Sequence, residues 1–138
     1  MTNRWEKIQV GDELPVVRKT PGVTDLVKYS AGSGDFNPLH HDYNFPQSKM
    51  LGSIIVHGRY KYAALGQVVS DWLGRDGRVR AISCQYRGMD FPDQEMLCGG
   101  KVAEKWEQEG KRLVKLQLWT QNREGKKTTP GEAIVEIS

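Results

Sequence analysis

Apolar and polar positions along the chain change period once, a little past its midpoint. From His57 to Gly74 the sequence HGRYKYAALGQVVSDWLG sets Tyr62, Leu65, Val69 and Trp72 at three- and four-residue spacing, with Ala64 and Val68 joining them and Gly74 as a stop. This pattern predicts one long helix, and the small residues Ala63, Ala64 and Gly66 in its middle suit close packing against other backbone. Beyond it the period falls to two. RVRAISCQYR, MLCGGKVAEKW, RLVKLQLWTQ and GEAIVEI read as strands, separated by the turn signals FPDQ, EQEG and NREGKK. In the third, Val114, Leu116, Leu118 and Thr120 alternate with Lys115, Gln117 and Trp119; in the last, Ala133, Val135 and Ile137 alternate with Glu132, Ile134 and Glu136. Such alternation predicts antiparallel strands with one buried face.

The first half of the chain is more irregular. TPGVTDLVKYSAGSGD carries a helix start signal at Thr24 and apolar Leu26, Val27 and Tyr29 before Gly32 and Gly34 end it. NFPQSKMLGSIIV is interrupted by Pro46 and Gly52, and ELPVVRKT reads as an extra strand. An early helix, one long apolar helix and a run of strands describe an α+β fold in which a curved antiparallel sheet wraps one helix. No repeat or linker divides residues 1–138, so one domain is expected. A doubly wound dinucleotide-binding fold is excluded, because the strand–helix alternation and a GxGxxG turn are both missing.

Composition narrows the function classes. Twenty basic and 17 acidic residues give a net charge of +3, with no basic run longer than two, unlike the concentrated patch of a nucleic-acid binder. With 38% hydrophobic residues and a mean hydropathy of −0.60, the monomer is polar for its size, and association with another chain would add apolar burial. The opening residues MTNRWEKIQVGDELP lack the apolar core of a signal peptide, and no window approaches a membrane helix. A cytoplasmic protein without membrane or nucleic-acid partners is expected, with Cys84 and Cys98 reduced.

The densest chemistry lies in GDFNPLHHD, Gly34 to Asp42. Two readings stand side by side. Pro38 fixes its own φ and pushes Asn37 out of the helical region, and Asn and Asp bond nearby amides, so the stretch reads as a polar turn. Equally, Asp35 and His40 straddle that turn and can converge on one point, where a carboxylate and an imidazole form an acid/base pair around a water. His41 then points elsewhere. Further on, IIVHGRY ends at His57 and Gly58, where the long helix begins. Gly58 is either a plain cap with a packed His57 beside it, or an amide that receives an oxyanion at a helix N-terminus. Asp35, His40, His41, Asp42 and His57 are possible metal ligands, but no HExxH spacing or Cys/His framework exists, so no metal is expected. Ser33 and Ser53 lack a G-x-S-x-G elbow.

YSAGSGDFNPLHHD followed by GSIIVHG resembles the signature of the MaoC-like, R-specific enoyl-CoA hydratases (hydratase 2), from about Tyr29 to Gly58. The resemblance implies a hotdog fold paired with a second hotdog unit, as a homodimer or as a heteromer with a different subunit. It implies reversible hydration of trans-2-enoyl thioesters, carried by coenzyme A or a carrier protein, to (R)-3-hydroxyacyl thioesters, with no cofactor. By position, Asp35 and His40 match the catalytic dyad, Asn37 the turn asparagine and Gly58 the amide that polarises the carbonyl; Asn37, His57 and Gly58 are the expected substrate contacts. Tyr62, Leu65 and Trp72 are candidate walls of an acyl channel, though their spacing equally fits core. One departure is Arg59, where the family often has an apolar residue; it leaves the acyl group open. A hotdog thioesterase and a non-catalytic acyl-binding subunit are the competing functions.

Overall fold

The alternating segments become one sheet in the computed structural model, which describes residues 3–138. Strands β1 (Val17–Lys19), β2 (Gly77–Cys84), β3 (Met96–Gln108), β4 (Lys111–Gln121) and β5 (Lys127–Ile137) pair antiparallel in the order β1-β3-β4-β5-β2. All four strands read after the long helix are present, and the expected extra strand is the short β1, on the outer edge of β3. Period two does what it predicts: Val114, Leu116, Leu118, Thr120, Ala133, Val135 and Ile137 are all buried. Val102, Leu116 and Ala133 sit opposite one another across three strands and make one continuous apolar row. Register shifts at Val79/Ala81 and Val102/Glu104 add the local bend that curls the sheet.

Helix α4 (Gly58–Leu73) lies against the concave face of that sheet. Ala64, Leu65, Val68, Val69 and Leu73 are buried there, each large side chain contributing about 1.5–3 kcal/mol of transfer free energy. The apolar stripe differs from the sequence pattern at its margins. Tyr62 stays partly exposed and donates its hydroxyl to the Ile82 carbonyl at 2.8 Å, and Trp72, in the last turn, is covered by the Arg4 guanidinium. Lys61, a charged residue, takes a fully buried place on the stripe instead.

The irregular half supplies short helices. They are α1 (Arg4–Lys7), α2 (Val23–Ser33), a 3-10 turn (Pro38–His40) and α3 (Pro46–Leu51). Pro46 and Gly52, which read as interruptions, are the start and stop of α3: proline fits a first helical turn, where an N–H has no partner anyway. Helix α2 ends where expected, at Gly34, whose φ of 76° is a left-handed value natural to glycine. Both cysteines are free thiols, and burial pushes the Cys98 thiol up to about 11. Among the described residues, no helix is long and apolar enough to cross a membrane.

Candidate functional site

The turn at Gly34 delivers Asp35 into a short, self-bonded loop. One Asp35 carboxylate oxygen accepts the Asn37 amide at 3.3 Å, and the Asn37 side chain accepts the Leu39 amide at 3.0 Å. Asn37 is thereby the cap of the 3-10 turn, with Pro38 as its first residue. Its side-chain oxygen is engaged by the backbone. The other Asp35 oxygen faces His40 Nε2 at 3.8 Å.

His40 is 8% exposed and is fixed from behind. Its Nδ1 lies 2.9 Å from the Ile55 carbonyl, which can only accept, so Nδ1 carries the proton in the neutral ring. Nε2 is then a bare acceptor facing a carboxylate, and at 3.8 Å the two do not bond each other directly. Two acceptors at this separation can share one bridging water. Ile55 also gives its amide to the Leu39 carbonyl at 3.1 Å, so its backbone grips the loop at two points, and the residue is part of the wall of a cleft.

His57 stacks on His40, with ring centroids 3.9 Å apart and planes 23° from parallel. It is fully buried, with Nε2 3.0 Å from the Ser30 hydroxyl, the Tyr29 ring edge-on at 4.9 Å and Nδ1 without a hydrogen-bond partner. Burial lowers its pKa from 6.5; the nearby His40 adds to that, and Asp35 opposes it. His57 is thus a neutral plate at pH 7 that sets the plane of the His40 ring. Gly58 follows as the first residue of α4, where the helix leaves its amide unpaired. Glycine allows close approach there: a Cβ would lie 2.9 Å from the Tyr86 ring, which would have to shift.

Two cavities meet at Tyr86. One, of about 450 Å³, is lined by Ile55, Val56, Gly58, Tyr86 and Met89 among others, with Arg87 and Lys126 also on its wall. The other, of about 400 Å³, is lined by Tyr29, Arg59, Tyr62, Ala63 and Tyr86. Leu65 and Trp72 line neither, and Leu65 is core. The loop's remaining polar groups are turned to local bonds: His41 Nε2 lies 3.2 Å from the Phe36 carbonyl, and Asp42 accepts the Asn44 amide.

Asp35, His40 and His57 offer donor atoms within 4.8 Å of one another. The donor set does not make a good metal site, because nearly parallel stacked rings direct their in-plane lone pairs along parallel planes rather than at one centre. Ser30, Ile55 and Tyr86 complete the site without having been picked out in the sequence. Only Ser30 left a signal, a polar residue one turn after Leu26 on the buried side of α2.

Known proteins share this arrangement of elements. The family model of the MaoC like domain matches residues 6–124. The fatty acid synthase subunit beta of Saccharomyces cerevisiae is 25% identical over 140 residues, which is 95% of this chain and 6% of that subunit. This chain therefore spans a small fraction of that relative. Among solved structures, an (R)-hydratase from A. caviae involved in PHA biosynthesis aligns with a TM-score of 0.85 at 24% identity, over 96% of this chain and 99% of that one. The ChsH1-ChsH2 complex from Mycobacterium tuberculosis contains a chain that aligns with a TM-score of 0.79 at 20% identity, over 94% and 98%. The curled sheet around α4 is the hotdog fold.

Proposed function

The chain belongs to the MaoC-like domain family, and from that premise we propose that it catalyses reversible hydration of trans-2-enoyl thioesters to (R)-3-hydroxyacyl thioesters. The observation that carries this reading is the pair of acceptors, Asp35 Oδ2 and His40 Nε2, 3.8 Å apart and joined through the His40–His57 stack to the free amide at the head of α4. In an enoyl thioester, conjugation makes the β carbon electrophilic, and addition of water places enolate-like charge on the carbonyl oxygen. The Gly58 N–H, at the positive end of a 16-residue helix, would stabilise that charge as it develops. The dyad would take one proton from the attacking water as the C–O bond forms at the β carbon, and a proton returned from the dyad would complete the C–H bond at the α carbon. The dyad ends as it began, and hydration is redox-neutral, so the reaction calls for no redox cofactor.

His57 would act through His40 by fixing its ring, and Asn37 through the turn that joins the dyad. The acyl group and its carrier would occupy the two cavities that meet at Tyr86. We place the active form as a homodimer or a heteromer with a second hotdog subunit; a measurement of native mass decides between a monomer and either assembly.

The test is a panel of enoyl-CoA substrates followed by loss of the enoyl absorbance, with chiral analysis of the product. Consumption of crotonyl-CoA with formation of (R)-3-hydroxybutyryl-CoA is the expected result. A water held by the dyad could instead attack the carbonyl carbon, and free thiol release would identify that thioesterase. Saturable acyl-CoA binding with unchanged absorbance, even with a partner subunit present, would overturn both in favour of a binding subunit.

A further inference from the structure

One buried charge on α4 is not explained by the core. Lys61 is 2% exposed, yet it shares its stripe with Ala64, Leu65 and Val68. Its Nζ donates to the Gly88 carbonyl at 2.8 Å and to Asp90 Oδ2 at 3.1 Å. Asp90, 4% exposed, accepts the Thr128 hydroxyl on that same oxygen at 2.5 Å. Thr128 has only one hydroxyl proton, so the 2.9 Å contact with Thr120 is donated by Thr120. Every member of this chain of four is buried.

Stability does not account for the pair, since apolar residues of similar volume often replace a buried ion pair at no loss. Position does. The Asp90 carbonyl accepts the Val56 amide at 2.8 Å, two residues before Gly58. Lys61 holds Gly88, and the Thr128 carbonyl accepts the amides of Arg87 and Gly88. The Gln85 amide donates to the Pro130 carbonyl at 2.9 Å, and between that tie and the one at Arg87 lies Tyr86, whose ring rests on Gly58. The entry to α4, the loop from Tyr86 to Asp90 and the first residues of β5 are therefore fastened at one point. That point is on the first turn of the helix and on the wall of the cleft that Gly58 lines.

We infer that the buried Lys61–Asp90 pair is a positioning device that fixes the Gly58 amide and the Tyr86 ring relative to the His40–His57 stack. Its catalytic consequence rests on the reading that Gly58 receives the thioester oxygen. A misplacement of the amide by a fraction of an ångström would weaken a contact that matters most in the transition state, so kcat falls while KM holds.

The apolar double variant Lys61→Met/Asp90→Leu tests this. Its thermal midpoint is expected to stay near that of the parent. Its kcat on crotonyl-CoA should fall about tenfold or more, with KM within about threefold, and exchange of the Val56 amide proton should accelerate about tenfold or more. A folded double variant that keeps the parental kcat, or the parental Val56 exchange rate, overturns the inference. If the parent itself does not hydrate enoyl thioesters, the function proposed above fails and Val56 exchange alone decides the clamp. Should the apolar pair fail to fold, Lys61→Met/Asp90→Asn, which retains a hydrogen-bond partner for Thr128, carries the same readouts.

Discussion

The two ends of α4 are built on opposite principles. Toward its C-terminus, Leu65, Val68, Val69 and Leu73 meet the sheet as apolar surface alone, and each contact is one of many. At its N-terminus, His57 and Lys61 are as deeply buried as any leucine but are held by single hydrogen bonds to Ser30, Gly88 and Asp90. Apolar packing is non-directional, so the first end tolerates small shifts. Hydrogen bonds fix direction, so the second end holds a geometry. The same helix thus anchors the fold at one end and aims the candidate site at the other.

Substitutions that separate aim from anchor should separate activity from stability. The largest effect is expected from Asp35→Asn and His40→Ala, each lowering turnover of crotonyl-CoA by about a hundredfold or more with the thermal midpoint little changed. Initial rates beside a melting curve check this, and near-parental rates in both variants would remove the dyad. Leu65→Ala should do the reverse. It removes a fully buried side chain and should cost about 3 kcal/mol in denaturant unfolding, while the activity per folded molecule stays at the parental level.

His57 lies between these cases, and the part of its effect that comes from titration is the smallest of the three and shows in acid. Its folded-state pKa is lowered below 6.5, so as pH falls past 6.5 the unfolded chain takes up a proton there that the folded chain refuses. Stability from this group is complete above that pH and declines below it, by at most about 1.4 kcal/mol per pH unit. His57→Asn should flatten this part of the acid limb, read from urea midpoints between pH values on either side of 6.5. An unchanged limb would mean that another group sets it.

The same contrast explains what the sequence made legible. Alternation in β4 and β5 and the spacing of Leu65 and Val69 survive because a buried face repeats with its own period. Asp35 and His40 were legible because the turn that joins them is local, wired through Asn37 and Pro38. The rest of the site is assembled from residues that are distant in the chain: Ser30 reaches His57 across 27 positions, Lys61 reaches Asp90 across 29, and Asp90 reaches Thr128 across 38. No periodicity marks such pairs, and Asp90 falls between the strand pattern that ends at Arg87 and the turn signal FPDQ. Arg59, the departure from the family pattern, lies on the wall of a tyrosine-rich cavity with Tyr29, Tyr62 and Tyr86.

Ile55 carries a consequence for how such a protein can change. Its backbone carbonyl and amide secure His40 and Leu39, and the residue also lines the cleft. Any residue except proline supplies the same two backbone groups, so the hold on His40 and Leu39 is indifferent to which side chain stands there. The wall of the cleft can therefore be reshaped at position 55 while the two backbone bonds that hold Leu39 and His40 stay in place.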